Sequence, residues 1–147
     1  MAAEIIAAAD RLRAQTVGNE VHLRGLIEIS NYCHNNCRYC GLFRDNRQLP
    51  RYRMSPCEIV ASAKDGVHLG YYTIVLQAGE DPGLKPNELA AVIREIKSYG
   101  LVVTLSLGER EPWEYELWRK AGAERYLMRH ETADAELYRQ FHPGQDL

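Results

Sequence analysis

The chain has 147 residues, of which 46% are apolar and 26% charged, and 18 basic residues nearly balance 20 acidic ones. This length suits one domain or part of a larger one, and the apolar content argues against a disordered chain. The net charge of −2 gives no support for nucleic-acid binding. No apolar run approaches the roughly 18 residues of a membrane span, and the N-terminus lacks the layout of a signal peptide. We therefore expect a cytoplasmic protein that binds neither nucleic acid nor membrane.

In chain order, the sequence predicts a leading helix and then four strand–helix units. Residues 1–15 carry apolar side chains at helical spacing, and the apolar and β-branched content of residues 21–30 predicts the first strand. Further strands are expected over 72–77, 101–107 and 125–128. Proline opens and glycine closes each of the three helices between these strands, over about 55–70, 86–100 and 112–122. Thr132 or Asp134 can cap a last helix that runs through Gln140.

This alternation of strands and helices predicts an α/β fold in which helices cover a parallel sheet. Four units are half of an eight-fold barrel, which typically needs about 250 residues. We therefore expect the N-terminal half of a (β/α)8 barrel of the TIM type, with about four parallel strands and outer helices. It forms a single partial domain over 1–147, in which 1–20 is a leading helix and linker. The chain is expected to be truncated, or to be a half-barrel that pairs to cover its open edges.

Every predicted strand runs into an unusual polar motif. The first strand precedes a cysteine-rich loop, and the second precedes Ala-Gly-Glu-Asp at 78–81. The third runs into Ser-Leu-Gly-Glu at 106–109, and the fourth into Arg-His-Glu-Thr at 129–132. Functional residues of parallel α/β folds gather where strands end and loops begin, so we expect these motifs to form one site.

Three of the four cysteines lie within one short loop, as Cys33, Cys37 and Cys40 in the spacing C-x3-C-x2-C. In a cytosolic protein such crowding favours a metal or cluster site over disulfides. Three thiolates on one loop can hold three irons of a [4Fe–4S] cubane and leave the fourth iron open, as a catalytic cluster needs. A Cys3His zinc site that includes His34, a redox pair or disulfide, and buried structural thiols are the alternatives. Cys57, which is remote from the loop in sequence, is expected to be a small packing residue.

The cysteine motif, with Tyr39 directly before its last cysteine, resembles that of the radical S-adenosylmethionine superfamily. The resemblance implies that the open iron binds the amino and carboxylate groups of S-adenosylmethionine. Reduction then splits the sulfonium into methionine and a 5′-deoxyadenosyl radical. The resemblance also implies that Tyr39 lies against the adenine. Gly79 and Glu80 match the family's Gly-Gly-Glu motif, whose backbone binds the methionine amino group, although Ala78 stands in place of the first glycine.

Longer strings resemble the HydE-type branch of this superfamily, which acts in FeFe-hydrogenase maturation and is related to biotin synthase and methylornithine synthase. The most specific strings are Leu-Gln-Ala-Gly-Glu-Asp at 76–81 and Arg-His-Glu-Thr-Ala at 129–133. The resemblance implies a role in assembling the dithiolate-bridged di-iron cofactor of a hydrogenase. Its implied partners are a small-molecule substrate, an electron donor of the flavodoxin or ferredoxin type, and other hydrogenase maturation proteins. Methylornithine synthase or biotin synthase chemistry is one alternative, and a non-catalytic zinc or iron–sulfur module is another.

The remaining candidate residues match the charges of S-adenosylmethionine. Arg129 can pair with its carboxylate through the guanidinium fork, and Glu109 and Glu131 can meet its cationic part or its ribose hydroxyls. Ser106 can donate a hydrogen bond to the ligand or to nearby backbone. An ion-pair network at the barrel mouth is the alternative for the charged residues. His130 alternates with its neighbours, which predicts that it packs on the opposite face.

The loop that follows the cysteines is basic. It carries Arg44, Arg47, Arg51 and Arg53. We expect this loop to be a solvated face, or else to bind an anionic substrate or to line a lid over the barrel.

Overall fold

The predicted strand–helix units form one parallel sheet in the computed structural model, which describes residues 2–146. In chain order the elements are α1 (Ala2–Thr16), β1 (Gly25–Ser30), α2 (Pro56–His68), β2 (Thr73–Ala78), α3 (Pro86–Ser98), β3 (Val102–Ser106), α4 (Pro112–Ala121), β4 (Arg125–Tyr126) and α5 (Ala135–Phe141). The sheet has the order β1-β2-β3-β4, and every neighbouring pair of strands is parallel. The predicted α/β half-barrel is thus confirmed.

Local sequence signals set where the helices begin. Ser55 caps α2 with a hydroxyl that accepts from the Glu58 amide at 3.3 Å, while the Glu58 carboxylate accepts from the Ser55 amide at 2.7 Å. This reciprocal pair is the capping box that the sequence predicts. α5 begins in a similar way, because the Asp134 carboxylate accepts from the first free amides of the helix. Of the two predicted caps for this helix, the structure therefore uses Asp134.

The core lies between the sheet and helices α2, α3 and α4. Alternate strand residues face these helices and are buried, namely Ile27, Ile29, Ile74, Leu76, Val103 and Leu105. On the opposite face of the sheet, the register places Glu28 beside Gln77, and Gln77 beside Ser106. Leu26 on that face is 60% exposed. This second face corresponds to the interior of a complete barrel, and it ends at the edge where the polar motifs lie.

Strand β1 is shorter than the sequence predicts. It begins at Gly25 rather than at Val21, and Val21 and Leu23 are 82% and 71% exposed. The first pairing of β1 joins Gly25 to Ile74, one residue inside the start of β2. Among the described residues, none pairs with residues 21–24, so the apolar side chains of Val21 and Leu23 alone do not extend the strand.

Strand β4 is also shorter than predicted, with only Arg125 and Tyr126 paired to β3. The chain beyond it is irregular, and Glu131 has a left-handed backbone with φ of 59°. Period-two alternation therefore does not apply to residues 129–131. His130 is exposed rather than packed against a helix, so that prediction is wrong.

Helix α1 lies outside the core. None of its described residues is buried, and its apolar side chains Ile5, Ile6 and Leu12 are 64%, 69% and 61% exposed. Over residues 2–146, none of the helices has both the length and the apolar character needed to cross a bilayer.

Candidate functional site

A cavity of about 190 Å³ opens where the four strands end. The chain segments that follow β1, β2, β3 and β4 all contribute to its wall. All ten sequence-predicted site residues line it, namely Cys33, Cys37, Tyr39, Cys40, Gly79, Glu80, Ser106, Glu109, Arg129 and Glu131. The tertiary structure thus brings together residues that are up to 98 positions apart in the chain (from 33 to 131).

The three cysteines of the loop are free and half-buried, whereas Cys57 is exposed on α2. The prediction that Cys57 is a packing residue is therefore wrong. The Asn35 amide donates to the Cys33 sulfur at 3.5 Å. Burial raises the pKa of the Cys37 thiol, and so do the negative charges of Cys33, Cys40 and Glu80. Three thiolates gathered in this way repel one another, and cationic iron relieves that repulsion.

The alternative zinc site needs Cys33, Cys37, Cys40 and His34 to converge on one ion. Within residues 2–146, no three His, Cys, Asp or Glu side chains converge closely enough to hold one metal ion. A cubane places a different iron at each thiolate, so its ligands stand further apart than those of one ion. His34, the proposed fourth ligand of a zinc site, instead approaches the Glu80 carboxylate at 3.4 Å.

Gly79 is needed for close contact between the end of β2 and the cysteine loop. A Cβ atom at this position would lie 2.5 Å from the Tyr32 carbonyl oxygen and 2.8 Å from the Cys33 Cβ. Glu80, the next residue, stabilises the same contact, because its carbonyl accepts a hydrogen bond from the His34 amide at 3.0 Å. A glycine at 79 is thus required by the packing of the cysteine loop itself.

The Glu80 side chain also binds the cysteine loop. Its carboxylate accepts from the Asn35 side-chain amide at 2.9 Å. Asn35 itself lines the cavity, and sequence reasoning did not select it. Its position between two cysteines of the motif was the only available signal, and polar residues are common in such loops whatever they bind.

A buried carboxylate anchors the chain on the far side of the loop. Asp81 is fully buried and accepts from Arg53 Nε and Nη2 at 2.8 and 2.7 Å. The Ser30 hydroxyl and the Gly83 amide donate to it as well, at 2.6 and 2.8 Å. Burial alone would raise the pKa of Asp81, but these hydrogen bonds outweigh burial and hold the pKa below its usual value. Ser30 ends β1, so the bonds join β1, β2 and the loop between them.

The basic loop is only partly the solvated face that was expected. Arg44 and Arg47 are exposed. Arg51 instead folds into the loop and donates to main-chain oxygens of Asn31, Leu42 and Phe43. Together with the pairing of Arg53, this makes two of the four arginines structural supports of the cysteine loop.

Arg129, Glu109 and Glu131 form no ion pairs with one another in the described part of the chain. The structure therefore does not support the alternative in which these three residues form an ion-pair network at the barrel mouth. The three charged side chains line the cavity without neutralising one another, and all three are exposed. This leaves them available to a charged ligand.

The floor of the cavity is polar and includes residues that sequence reasoning missed. Gln77 lines the cavity next to Ser106 in the sheet. Two residues before Ser106, the Thr104 hydroxyl is buried and has no hydrogen-bond partner among the described residues. An unpaired buried hydroxyl is costly unless a bound group satisfies it. Alternation along β2 and β3 was the signal that could have placed Gln77 and Thr104 on the sheet face that ends at the site.

The tyrosine of the cysteine motif stands at the same wall. Tyr39 is 50% exposed, and its hydroxyl lies 2.8 Å from His142 Nε2. Partial burial raises the pKa of Tyr39 well above its usual value, and the nearby Glu131 carboxylate adds to this. The phenol therefore keeps its proton at neutral pH. His142 and Tyr138 also line the cavity and were not foreseen.

A half-barrel of parallel strands, with a three-cysteine loop and a polar cavity at its carboxyl edge, defines the class of α/β-barrel proteins with a cysteine-rich loop after the first strand. The profile of the Radical SAM superfamily matches residues 27–147, and the chain belongs to that superfamily. Enzymes of the superfamily use a [4Fe–4S] cluster and S-adenosylmethionine.

Individual relatives are similar over nearly the whole chain. The "[FeFe] hydrogenase maturase subunit HydE" of Thermotoga maritima is 54% identical over 92% of this chain, which covers 39% of that protein. The crystal structure of methylornithine synthase (PylB) has a TM-score of 0.84 at 32% identity, over 95% of this chain and 42% of that one. That of HydG, a maturase of the [FeFe]-hydrogenase, has a TM-score of 0.86 at 26% identity, over 97% of this chain and 33% of that one. The chain thus spans less than half the length of each relative.

Proposed function

We propose that this chain holds a [4Fe–4S] cluster through Cys33, Cys37 and Cys40 and binds S-adenosylmethionine in the adjacent cavity. These groups would serve the reductive cleavage of S-adenosylmethionine during FeFe-hydrogenase maturation. The observation that carries the proposal is the cavity itself, where the cysteine loop meets charged and polar residues from three other strand ends. The 54% identity to a HydE maturase supports the maturation role.

The charges around the cavity suit the proposed ligand. S-Adenosylmethionine carries a carboxylate, an ammonium group and a sulfonium. Arg129 would bind the carboxylate through two parallel hydrogen bonds, and the main chain at 79–80 would bind the amino group. Glu109 and Glu131 would face the cationic part or the ribose hydroxyls. Ser106 would donate a hydrogen bond, and the Tyr39 ring would lie against the adenine.

When both groups are bound, the chemistry supplied there is one-electron reduction of the sulfonium, which splits into methionine and a 5′-deoxyadenosyl radical. The chain's own contribution is to hold and orient the reacting groups. The electron would come from a partner of the flavodoxin or ferredoxin type. The small-molecule substrate would approach over the sheet face that carries Gln77 and Thr104, and other hydrogenase maturation proteins would be the further partners.

The first test is anaerobic reconstitution of the chain with iron and sulfide. We expect about four irons and four sulfides per chain. Cys37→Ala should abolish this content, because the loop then lacks one of three ligands. Cys57→Ala should retain it, because that thiol is exposed on α2 and lies outside the cavity. Normal cluster content in Cys37→Ala would contradict the assignment.

The second test concerns the ligand of the open iron. Saturating S-adenosylmethionine should change the electron paramagnetic resonance spectrum of the reduced cluster, and dithionite should then yield 5′-deoxyadenosine. An unchanged spectrum would instead favour a structural or electron-transfer cluster.

Similarity to methylornithine synthase, at a TM-score of 0.84, favours a second candidate reaction. The two candidates can be separated in a host whose own HydE-type maturase is deleted. Restored hydrogenase activity on expression of this protein would support the maturation role. Formation of 3-methylornithine without restored hydrogenase would support the second candidate.

A further inference from the structure

The C-terminal end of α5 packs directly against the cysteine loop. The Arg38 amide donates to the Phe141 carbonyl at 2.9 Å. The Tyr39 ring makes edge-to-face contacts with Phe141 and with His142, at centroid distances of 6.2 and 5.3 Å. These contacts connect the fourth strand–helix unit to the loop that follows the first strand.

His142 is the buried centre of this contact. It is 5% exposed, although α5 itself has no buried residue. Its ring stacks on Tyr138 at a centroid distance of 4.0 Å and an angle of 18°. The position of α5 at the loop therefore depends on this one side chain more than on the packing of the helix.

The hydrogen bonds of His142 determine which group donates to which. Its Nδ1 lies 3.0 Å from the Tyr138 carbonyl oxygen, and a carbonyl can only accept, so Nδ1 carries the hydrogen. In the neutral ring, Nε2 is then the acceptor, and it accepts from the Tyr39 hydroxyl at 2.8 Å. The Glu131 carboxylate is the other acceptor near this hydroxyl.

We propose that His142 is a positioning residue that fixes the Tyr39 ring at the cavity wall and thereby sets the affinity for S-adenosylmethionine. The inference rests on the proposed function, because it assigns Tyr39 to the ligand. A half-exposed tyrosine without this bond can turn about two side-chain torsions and must be ordered when the ligand binds. The bond to His142 orders the ring in advance.

A double-mutant cycle on the reconstituted chain tests the proposal through ligand affinity. His142→Phe keeps a ring to stack on Tyr138 but loses the acceptor, and Tyr39→Phe loses only the hydroxyl. We expect each variant to weaken S-adenosylmethionine binding about three- to tenfold, as for loss of one neutral hydrogen bond. The double variant should bind S-adenosylmethionine as tightly as the single variant with the lower affinity, because both changes remove the same bond. Iron and sulfide content should stay normal in all three.

A conservative variant and an exposed control separate positioning from general damage. His142→Gln offers an amide oxygen that can accept from Tyr39, so it should bind the ligand more tightly than His142→Phe. His130→Phe, at an exposed histidine outside the cavity, should change nothing. Multiplicative losses in the double variant would show that His142 acts without the Tyr39 hydroxyl. Unchanged affinity in His142→Phe would show that Glu131 suffices as the acceptor. Either result overturns the proposal.

A measurement without ligand distinguishes this proposal from the proposed function. In the chain without cluster, hydrogen exchange of the Arg38 amide, followed by NMR, reports the docking of α5. We expect His142→Phe to speed this exchange at least tenfold and His130→Phe to leave it unchanged. Exchange can be faster in His142→Phe while the unmutated reconstituted chain does not bind S-adenosylmethionine. That pair of results would confirm that His142 holds α5 against the loop but would contradict the role of Tyr39 in binding this ligand. Unchanged exchange in His142→Phe would reject the positioning role itself.

Discussion

Arg129 and Glu131 reach the cavity from irregular chain beyond β4 rather than from the strand. The left-handed backbone of Glu131, with φ of 59°, turns the chain at this point. The cavity contains Arg129 and Glu131 but not His130 among its described lining residues. A bend in the backbone, rather than strand alternation, thus separates the three neighbouring side chains.

Arg129→Ala should weaken S-adenosylmethionine binding about ten- to a hundredfold while the cluster stays intact. The reason is loss of a charged hydrogen bond, which costs about 1.5–3 kcal/mol. A titration of the reduced, reconstituted chain by electron paramagnetic resonance measures this affinity. His130→Ala is the matched control and should bind the ligand normally. Weaker binding in His130→Ala with normal binding in Arg129→Ala would remove Arg129 from the site.

Gly79→Ala should displace the cysteine loop. The added methyl group would meet the Tyr32 carbonyl and the Cys33 Cβ, both of which belong to main chain or to atoms bonded directly to it. We expect lower cluster content and a loss of about 1–3 kcal/mol in the free energy of unfolding, as for overpacking. Iron analysis and urea denaturation measure the two effects. Gly41→Ala is the control, because a Cβ there meets nothing within 4 Å.

Among the elements, β1 and β2 are tied together beyond their backbone pairing by Asp81, Arg53 and Ser30. The three bonds also fix both ends of the long connection between β1 and α2, which contains Cys33, Cys37 and Cys40. Local order in this connection therefore comes from buried hydrogen bonds rather than from helix or strand.

Arg53→Ala should lower the free energy of unfolding by about 1.5–3 kcal/mol at pH 7, because a buried carboxylate loses its charged donor. The lowered pKa of Asp81 contributes stability above its unfolded pKa of about 3.9, and this stability is lost as pH falls through the lowered, folded value. Arg53→Ala should therefore also flatten the acid side of the stability profile. Urea denaturation from pH 2 to 7 measures both effects. Arg44→Ala, at an exposed arginine, is expected to change neither.

Helix boundaries were more predictable than strand boundaries. The capping box of Ser55 and Glu58 and the cap at Asp134 act within three residues, so the sequence contains the complete signal. A strand exists only where a neighbour supplies hydrogen bonds. The extent of β1 and β4 was therefore set by β2 and β3, and both strands were predicted too long.

At the scale of the whole molecule, the sheet has one covered face and one open face. Helices α2, α3 and α4 bury the first, while the second exposes Leu26 at 60%. Leu127 and Met128, which follow β4 and line the cavity, are 45% and 52% exposed. Both β1 and β4 are edge strands within the described chain. Exposed apolar side chains beside unpaired strand edges favour association between chains.

Self-association of the 147-residue chain is therefore expected to increase with concentration in sedimentation velocity. Leu26→Lys should shift the distribution toward the monomer, because it places a charge on the open face next to the β1 edge. Leu23→Lys makes the same change at a side chain that is 71% exposed but precedes the strand, so it should have little effect. Equal shifts from both variants would indicate a general effect of charge instead.

The sequence by itself determined the order of the elements and the half-barrel, and it singled out the cysteine loop as the predicted centre of the chemistry. These features depend on local signals: proline and glycine at helix ends, apolar periodicity, and the spacing of Cys33, Cys37 and Cys40. Only the tertiary structure decided which side chains support that loop. Glu80 meets Asn35 across 45 positions, and His142 meets Tyr39 across 103. No local spacing encodes such pairs, because their partners become neighbours only after the parallel strands align their carboxyl ends at one edge.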